Sequence, residues 1–327
     1  MSSGAARPIA LALALALLAC GPSAPRPAEP PRPTPPATAV ADLDEASFSP
    51  AAVSALADLA CPRVERPYLW RVEPRSPTAA PSYLLGTMHL GVAPAKLPAS
   101  VLAALDGAQV VVFETDPAAP EPPAAPRAPS DLPAALGEAA WAHYQALLGA
   151  ELAAALAGAD PATAALMLMA LYLDKTALLD ETLGQRALRQ GQATAGLETS
   201  AFQEALLARW LDLRALRAAI AGAADRRELR DEARDAVAEY CAGTDDSPGM
   251  SAEERAEMLA GGYTEAELEA FEEDLLWSRN RAWIPALERL LSTGGAAVVV
   301  GADHLRGDGS VVALLRAAGW TVTRVAP

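Results

Sequence analysis

YLLGTMHL at Tyr83–Leu90 and VVVGADHL at Val298–Leu305 share one plan, and they decide the fold of this chain. Each is an apolar run that reaches a glycine, after which come two residues, a histidine and a leucine. Two of the three histidines in 327 residues, His89 and His304, therefore follow strand-like runs at the same offset. In open α/β sheets the carboxyl ends of the strands form the ligand crevice. We expect the two strands to be neighbours and both imidazoles to enter one crevice.

The other apolar runs predict an α/β fold. VVVFE at Val110–Glu114 is a short run of the kind found in strands that helices cover on both faces. A helical stretch, Leu97–Ala108, precedes it, and this order of strand, helix and strand favours a parallel pair with a right-handed crossover. The chain closes with a strand, a loop, a helix and a final strand. We predict a central mixed, mostly parallel sheet with a large helical insertion at about residues 134–292.

Two features are expected inside this insertion. Ala193–Thr199 has the pattern of a further strand. Thr264 and Glu267 form a capping box, which opens a helix that continues toward Leu291. Pro285 should kink or divide that helix, because proline removes a backbone donor and clashes with the preceding turn.

Carboxylates accompany the two histidines. Glu114 ends its apolar run, so its side chain should emerge at the same edge of the sheet, and Asp303 directly precedes His304. Two neutral imidazoles with one or two carboxylates make a donor set for a divalent metal. Without a metal, the histidines could act as a general acid and base, and Glu114 could simply pair with an arginine. His143 lies in a helical pattern and fits a packing or surface role.

Composition excludes several classes of function. With 41 acidic and 26 basic residues, the chain has a net charge of −15 at pH 7, which argues against a nucleic-acid partner. Motifs for zincins, P-loops, dinucleotide binding and the serine nucleophile elbow are all absent. Cys61 and Cys241 form an even pair, which favours a disulfide in an oxidising compartment, with two buried free thiols as the alternative.

The first residues have the pattern of an export signal. Arg7 precedes the short apolar run Ile9–Ala19, and Cys20 follows it. LLAC at Leu17–Cys20 resembles the lipobox of bacterial lipoproteins, in which the signal is cut before a cysteine that then carries the lipid. An ordinary secretory signal is the alternative. Gly21 gives no aspartate-type retention signal, so we expect attachment to the outer membrane of a diderm bacterium.

These patterns divide the chain into three regions. A lipoprotein signal peptide covers residues 1–19, and a lipid-anchored linker covers 20–46. Eight of the sixteen residues in Gly21–Pro36 are proline, a composition that favours extended polyproline II rather than packing. The folded domain covers residues 47–327 and includes the helical insertion.

Five segments resemble the TraB/GumN family, which includes the animal Tiki proteins. The resemblance extends from about Tyr68 to Val325, and the two Gly-x-x-His motifs with an acid between them are its hallmark. The segments are YLLGTMHLG, VVVFETD, GLETSAFQ, RNRAW and VVVGADHLRGDGSVVALLRAAGWTV. The resemblance implies a fold similar to those of erythromycin-esterase-like and ChaN-like proteins. It also implies a metal-dependent hydrolase site, because Tiki proteins are membrane-tethered metalloproteases that use manganese or cobalt.

The same resemblance implies roles for particular residues. His89 and His304 would bind a metal or act in catalysis, with Glu114 as a ligand or base. Arg279 and Asn280 of RNRAW would orient the substrate or the carboxylate, although the pair could instead lie on a solvated helix face.

The sequence therefore favours an envelope lipoprotein with a hydrolase site that depends on Mn, Co or Zn. Its substrate would be a peptide or another small molecule, and its membrane contact would be the N-terminal lipid. One alternative is a non-catalytic lipoprotein that binds a ligand or partner in the crevice. Another is a metal-free hydrolase that uses the two histidines. Glu198 could approach the same crevice, but the sequence favours a role in capping the next helix.

Overall fold

The computed structural model describes residues 50–120, 130–245, 247 and 249–326. The predicted signal peptide, Cys20 and the proline-rich linker lie outside the described residues. Within the described part of the chain, no helix combines the length and apolar character needed to cross a membrane.

A six-stranded sheet forms the centre of the described chain, in the order β4-β3-β5-β2-β1-β6. The four strands β4, β3, β5 and β2 run parallel, whereas β1 is antiparallel to both β2 and β6. The strands are β1 (Tyr68–Val72), β2 (Ser82–Thr87), β3 (Val110–Thr115), β4 (Ala193–Glu198), β5 (Ala296–Gly301) and β6 (Val322–Arg324). The predicted α/β fold with a mixed, mostly parallel sheet is confirmed.

Helices surround the sheet, and most of them lie between β3 and β5 in the chain. The first two are α1 (Pro50–Ala60) and α2 (Ala99–Asp106). Those between β3 and β4 are α3 (Leu132–Leu136), α4 (Glu138–Leu148), α5 (Ala150–Ala155), α6 (Pro161–Met169) and α7 (Leu179–Arg189). After β4 come α8 (Ser200–Trp210), α9 (Leu213–Gly222), α10 (Arg226–Ala242), α11 (Ala252–Ala260), α12 (Glu265–Glu272), α13 (Ser278–Thr293) and α14 (Val311–Ala317).

The two motif strands are direct neighbours, as the sequence predicted. In the parallel ladder Gly86 pairs with Val300, and Thr87 pairs with Gly301. Every residue of β5 is buried, which explains its continuous run of alanine and valine. The two motif glycines are offset by one residue in this ladder, and the two Gly-x-x-His segments leave the sheet side by side.

Two details differ from the expectations. β2 and β3 are parallel but not adjacent, because β5 lies between them. Pro285 lies inside α13 without interrupting it, and the departure from α-helix is instead the π-helical turn Glu273–Trp277 that joins α12 to α13. The strand predicted inside the helical region is present as β4, which pairs with β3. The capping box of Thr264 and Glu267 is present as predicted.

A disulfide ties the start of the domain to α10. It joins Cys61 and Cys241, whose Cα atoms are 5.8 Å apart, and the Glu65 N–H donates to the Cys241 carbonyl (2.8 Å). The adjacent Tyr240 hydroxyl donates to the Gly86 carbonyl (3.0 Å). The cross-link therefore supports a helix that contacts the first Gly-x-x-His segment directly.

An acidic side chain is buried on α10. Glu232 is 8% exposed, and its Oε2 has no hydrogen-bond partner among the described residues. Burial raises the pKa of its carboxyl to about 8, and four neighbouring carboxylates add to the effect, namely Glu228, Glu257, Asp231 and Asp235. The folded protein therefore favours the protonated form of Glu232.

Glu232 should make the domain less stable as the pH rises. Folding raises the pKa of this carboxyl from 4.5 to about 8. Its contribution to the stability of the folded state is therefore complete below pH 4.5 and is lost as the pH rises through about 8. We expect Glu232→Gln, which imitates the protonated form, to reduce the decline in stability across that range in urea unfolding. Glu269→Gln, an exposed change on α12, should leave the decline unaltered. Parallel pH profiles for wild type and Glu232→Gln would contradict this account.

Candidate functional site

Four neighbouring strands deliver polar side chains to one edge of the sheet. His89 follows β2, His304 follows β5, and the carboxylates Glu114 and Glu198 lie at the ends of β3 and β4. These strands are consecutive in the sheet and parallel, so their carboxyl ends meet. His89 is 3% exposed, Glu114 6% and His304 0%. The structure thus brings the three residues singled out from the sequence into one buried cluster.

Glu114 lies at the centre of this cluster. Its Oε2 accepts from Arg279 Nη2 (2.6 Å) and Gln203 Nε2 (3.0 Å), and its Oε1 accepts from the Gly301 backbone N–H (2.8 Å). Oε1 also lies 3.8 Å from His89 Nε2 and 3.7 Å from His304 Nε2. Both imidazoles therefore face the same carboxylate oxygen.

The contacts of His304 fix its protonation state. Arg279 Nη1 lies 3.2 Å from Nε2, and a guanidinium can only donate, so Nε2 accepts and carries no proton. Nδ1 then donates to Asn280 Oδ1 (2.6 Å), while the Asn280 amide nitrogen donates to the Gly309 carbonyl (3.0 Å). Burial lowers the pKa of His304 well below its usual value, and the charges of Arg279 and His89 lower it further. His304 is a neutral imidazole with a defined tautomer.

His89 has a different environment. Its Nδ1 lies 2.8 Å from Asp180 Oδ2, which is within hydrogen-bond distance. The two atoms are not aligned as in a regular hydrogen bond. Its Nε2 is buried and has no hydrogen-bond partner among the described residues. Burial alone would lower the pKa of His89, but the Asp180 and Glu114 carboxylates outweigh it, and the pKa is raised. The pKa values of the two motif histidines are therefore shifted in opposite directions.

Arg279 connects the two strand-end glutamates. It donates to Glu114 through Nη2, and to Glu198 through both Nε (3.0 Å) and Nη2 (2.6 Å). Nη1 also donates to the Leu275 carbonyl (2.8 Å), which belongs to the π-helical turn before α13. Trp283, one turn further along α13, donates from its indole to Glu198 (3.1 Å) and packs against the His304 ring. The pair Arg279 and Asn280 thus lies in the site, not on a solvated helix face.

Glycine is required where the two motifs touch. A Cβ on Gly86 would lie 2.9 Å from both the Ala302 Cα and the Tyr68 Cβ. Such contacts are closer than carbon atoms tolerate, so the segment after β5 can approach β2 only because residue 86 has no side chain.

Two candidates from the sequence lie elsewhere. Asp303 forms an ion pair with Arg306, which also contacts Asp245, so the structure does not bring Asp303 into the contacts around Glu114. The carboxylate turns away because Asp303 directly precedes His304 on a tight 3-10 turn, where neighbouring side chains diverge. His143 lies on α4, remote in the chain from each strand end that forms the cluster.

Three residues of the site were not predicted from the sequence. Asp180 looks like an ordinary first-turn acid of a helix, and Gln203 and Thr87 carry no signal of their own. For Glu198 the sequence left two roles open, and its approach to the crevice, the one it did not favour, is the one that the structure has. The expectation that Glu198 caps the next helix is wrong, because Thr199 is the N-cap of α8 and Glu198 binds Arg279.

The cluster carries an excess of negative charge. Three buried carboxylates, those of Glu114, Asp180 and Glu198, face a single guanidinium, that of Arg279. With both imidazoles neutral, two negative charges remain uncompensated by these groups. Buried charges in proteins are normally paired or bound to a metal, so this imbalance favours a cation.

The donor set fits a divalent metal in type and in spacing. Metal contacts to nitrogen and oxygen of about 2.0–2.2 Å each would together span the gaps of 3.8 and 3.7 Å between the imidazoles and Glu114. His89 Nε2 is available, whereas His304 Nε2 would have to exchange its contact with Arg279 for the metal. In the described chain, no three His, Cys, Asp or Glu side chains already enclose a metal position.

The fold and site together define a class: an α/β protein whose buried histidine and carboxylate cluster is built on parallel strand ends. The family model described as the TraB/PrgY/gumN family matches residues 68–324, and the chain belongs to this family. The match covers all six strands and every residue of the cluster. Comparison with curated proteins and with solved structures gave no significant match.

Arg279 should be a main source of stability at the site. Replacing it with methionine leaves Glu114 and Glu198 buried without their countercharge, which typically costs about 3–5 kcal/mol. Arg281→Met on the same helix removes a pair with Glu273 whose side chains are 52% and 45% exposed, and such pairs contribute about 0–1 kcal/mol. Urea unfolding of the two variants measures this difference. Equal losses would show that the buried pairs do not hold the strand ends together.

Proposed function

We propose that this protein is a divalent-metal-dependent hydrolase and that peptide bonds are its substrate class. One observation carries the proposal. Two imidazole Nε2 atoms face one carboxylate oxygen of Glu114, inside a buried cluster in which three carboxylates face a single guanidinium. The resemblance of the motifs to those of metal-dependent Tiki proteases supports the choice of peptide bonds.

In this proposal His89, His304 and Glu114 hold the metal, which would be Mn, Co or Zn. When bound, a divalent cation polarises a carbonyl group and lowers the pKa of water toward neutrality. Arg279 keeps the second oxygen of Glu114 occupied, so that Oε1 alone faces the imidazoles. Asn280 holds His304 in the tautomer whose Nε2 is unprotonated, which is the form that binds a metal.

A metal-free hydrolase is the second candidate, and a specific contact favours it. Arg279 Nη1 already occupies the lone pair of His304 Nε2 at 3.2 Å. The opposed pKa directions of His89 and His304 also suit a pair in which one imidazole donates a proton and the other accepts one. Activity that persists after chelation would favour this candidate.

The near-complete burial of the cluster favours a third candidate, a protein that binds a ligand or partner without catalysis. His304 is fully buried and His89 almost so, and a substrate must reach them. Stoichiometric metal binding with no hydrolysis of any peptide would support this function.

The decisive experiment measures metal binding and peptide hydrolysis on the same protein. Titration calorimetry with Mn²⁺, Co²⁺ and Zn²⁺ should show one site per chain. A mixture of fluorogenic peptides should be cleaved by the loaded protein and not after chelation. His89→Ala and His304→Ala should each lose at least tenfold in metal affinity, because each removes a direct ligand.

His143→Ala is the matched control, since it removes the third histidine, which lies on α4 outside the cluster. It should bind metal and cleave peptides like the wild type. The proposal fails if wild-type protein binds none of the three ions, or if both cluster variants bind them as tightly as the His143 variant does.

We also propose that the protein is lipid-anchored in the bacterial cell envelope, through Cys20 and a proline-rich linker. The lipobox-like sequence before Cys20 supports this, and the disulfide between Cys61 and Cys241 suits an oxidising compartment. Expression in a diderm bacterium should place the wild type in the outer-membrane fraction. Cys20→Ser should move it to another fraction, and an unchanged distribution would exclude the lipid anchor.

A further inference from the structure

Asp180 and Thr87 form a polar chain behind His89. Asp180 Oδ2 lies 2.8 Å from His89 Nδ1, and Asp180 Oδ1 accepts from the Thr87 hydroxyl (2.8 Å). The three side chains are buried, with Asp180 8% exposed and Thr87 3% exposed. A nitrogen lone pair would repel a carboxylate oxygen at 2.8 Å, so Nδ1 must carry the proton there. The lone pair of a neutral His89 is then on Nε2, which faces Glu114.

Backbone contacts fix this arrangement. The Leu179 N–H donates to the His89 carbonyl (3.1 Å), and Leu90 forms a β-bridge with Leu178. Asp180 is therefore locked beside His89 by the main chain at the start of α7. The Asp180 side chain spans the remaining distance to the ring, and the Thr87 hydroxyl holds its carboxylate.

The two histidines of the repeated motif have unlike supports at Nδ1. His304 Nδ1 donates to the neutral amide oxygen of Asn280, whereas His89 Nδ1 faces the carboxylate of Asp180. A carboxylate behind an imidazole orients the ring and raises the basicity of its other nitrogen, and an amide does so less. His89 should therefore be the stronger ligand of the two.

We propose that Asp180 is a positioning residue that directs Nε2 of His89 toward Glu114 and strengthens His89 as a ligand of the divalent cation. Thr87 assists by holding the Asp180 carboxylate. This proposal rests on the proposed function, because it concerns the same metal site. It goes beyond that function by giving the helical region a direct part in metal affinity.

The test compares Mn²⁺ binding by Asp180→Asn and Glu181→Gln. Loss of a carboxylate behind a histidine ligand typically lowers metal affinity 10–100-fold, and we expect about that loss for Asp180→Asn. Glu181 is the adjacent acid in the first turn of α7, so its variant controls for the helix dipole and should bind within about twofold of wild type. Asp180→Glu, which keeps the carboxylate, should bind more tightly than Asp180→Asn.

A second readout requires no metal. Nitrogen NMR of imidazole-labelled, metal-free protein should show His89 Nδ1 protonated in the wild type. Thr87→Val, a change of nearly equal volume, should also weaken Mn²⁺ binding, but by less than Asp180→Asn does. This variant provides the test if Asp180→Asn does not fold.

The outcomes separate this proposal from the proposed function. Wild-type affinity in Asp180→Asn, or an unprotonated Nδ1 in wild-type His89, would overturn the role of Asp180 and leave the hydrolase proposal intact. Absence of Mn²⁺, Co²⁺ and Zn²⁺ binding by the wild type would overturn both.

Discussion

The buried ion pairs of Arg279 with Glu114 and Glu198 are the interaction on which the rest of the site depends. They join the ends of two neighbouring strands to α13, and they do so where side chains are almost fully removed from water. Burying charge is unfavourable unless each group is paired and hydrogen-bonded, and here the guanidinium uses all three nitrogens. The π-helical turn before α13 supplies the carbonyl that receives Nη1. Wide turns of this kind occur often at functional sites.

The sheet and the helical region make different contributions to the cluster. The strands β2, β5 and β3 bring the two histidines and Glu114 to one place, because parallel neighbours end at the same edge. The helices supply the groups that set the chemical state of these three residues. Asn280 fixes the tautomer of His304, and Asp180 raises the proton affinity of His89. The long region between β3 and β5 is therefore part of the site and not merely a cover for the sheet.

The sequence predicted the strands and the central triad well, for a physical reason. A buried parallel strand is a short, uniformly apolar run, and a polar residue just beyond it must emerge at the ligand edge, as His89, His304 and Glu114 do. Asp180 and Gln203 could not be found this way, since each is an ordinary polar residue near the start of a helix, and only tertiary packing gives it a partner. The prediction that Asp303 is a metal ligand rested on its place beside His304 in the sequence. Its side chain instead pairs with Arg306. Pro285 does not divide its helix, and the helix instead changes its winding at Glu273–Trp277.

The central claim is that His89, His304 and Glu114 together hold one divalent cation. Anomalous diffraction from crystals equilibrated with Mn²⁺ tests it most directly, because the signal locates the ion without reference to activity. We expect a single strong peak within bonding distance of both imidazole Nε2 atoms and of Glu114 Oε1, with Arg279 Nη1 no longer in contact with His304. A crystal with no peak between these three side chains, or with its manganese bound elsewhere on the chain, would contradict it.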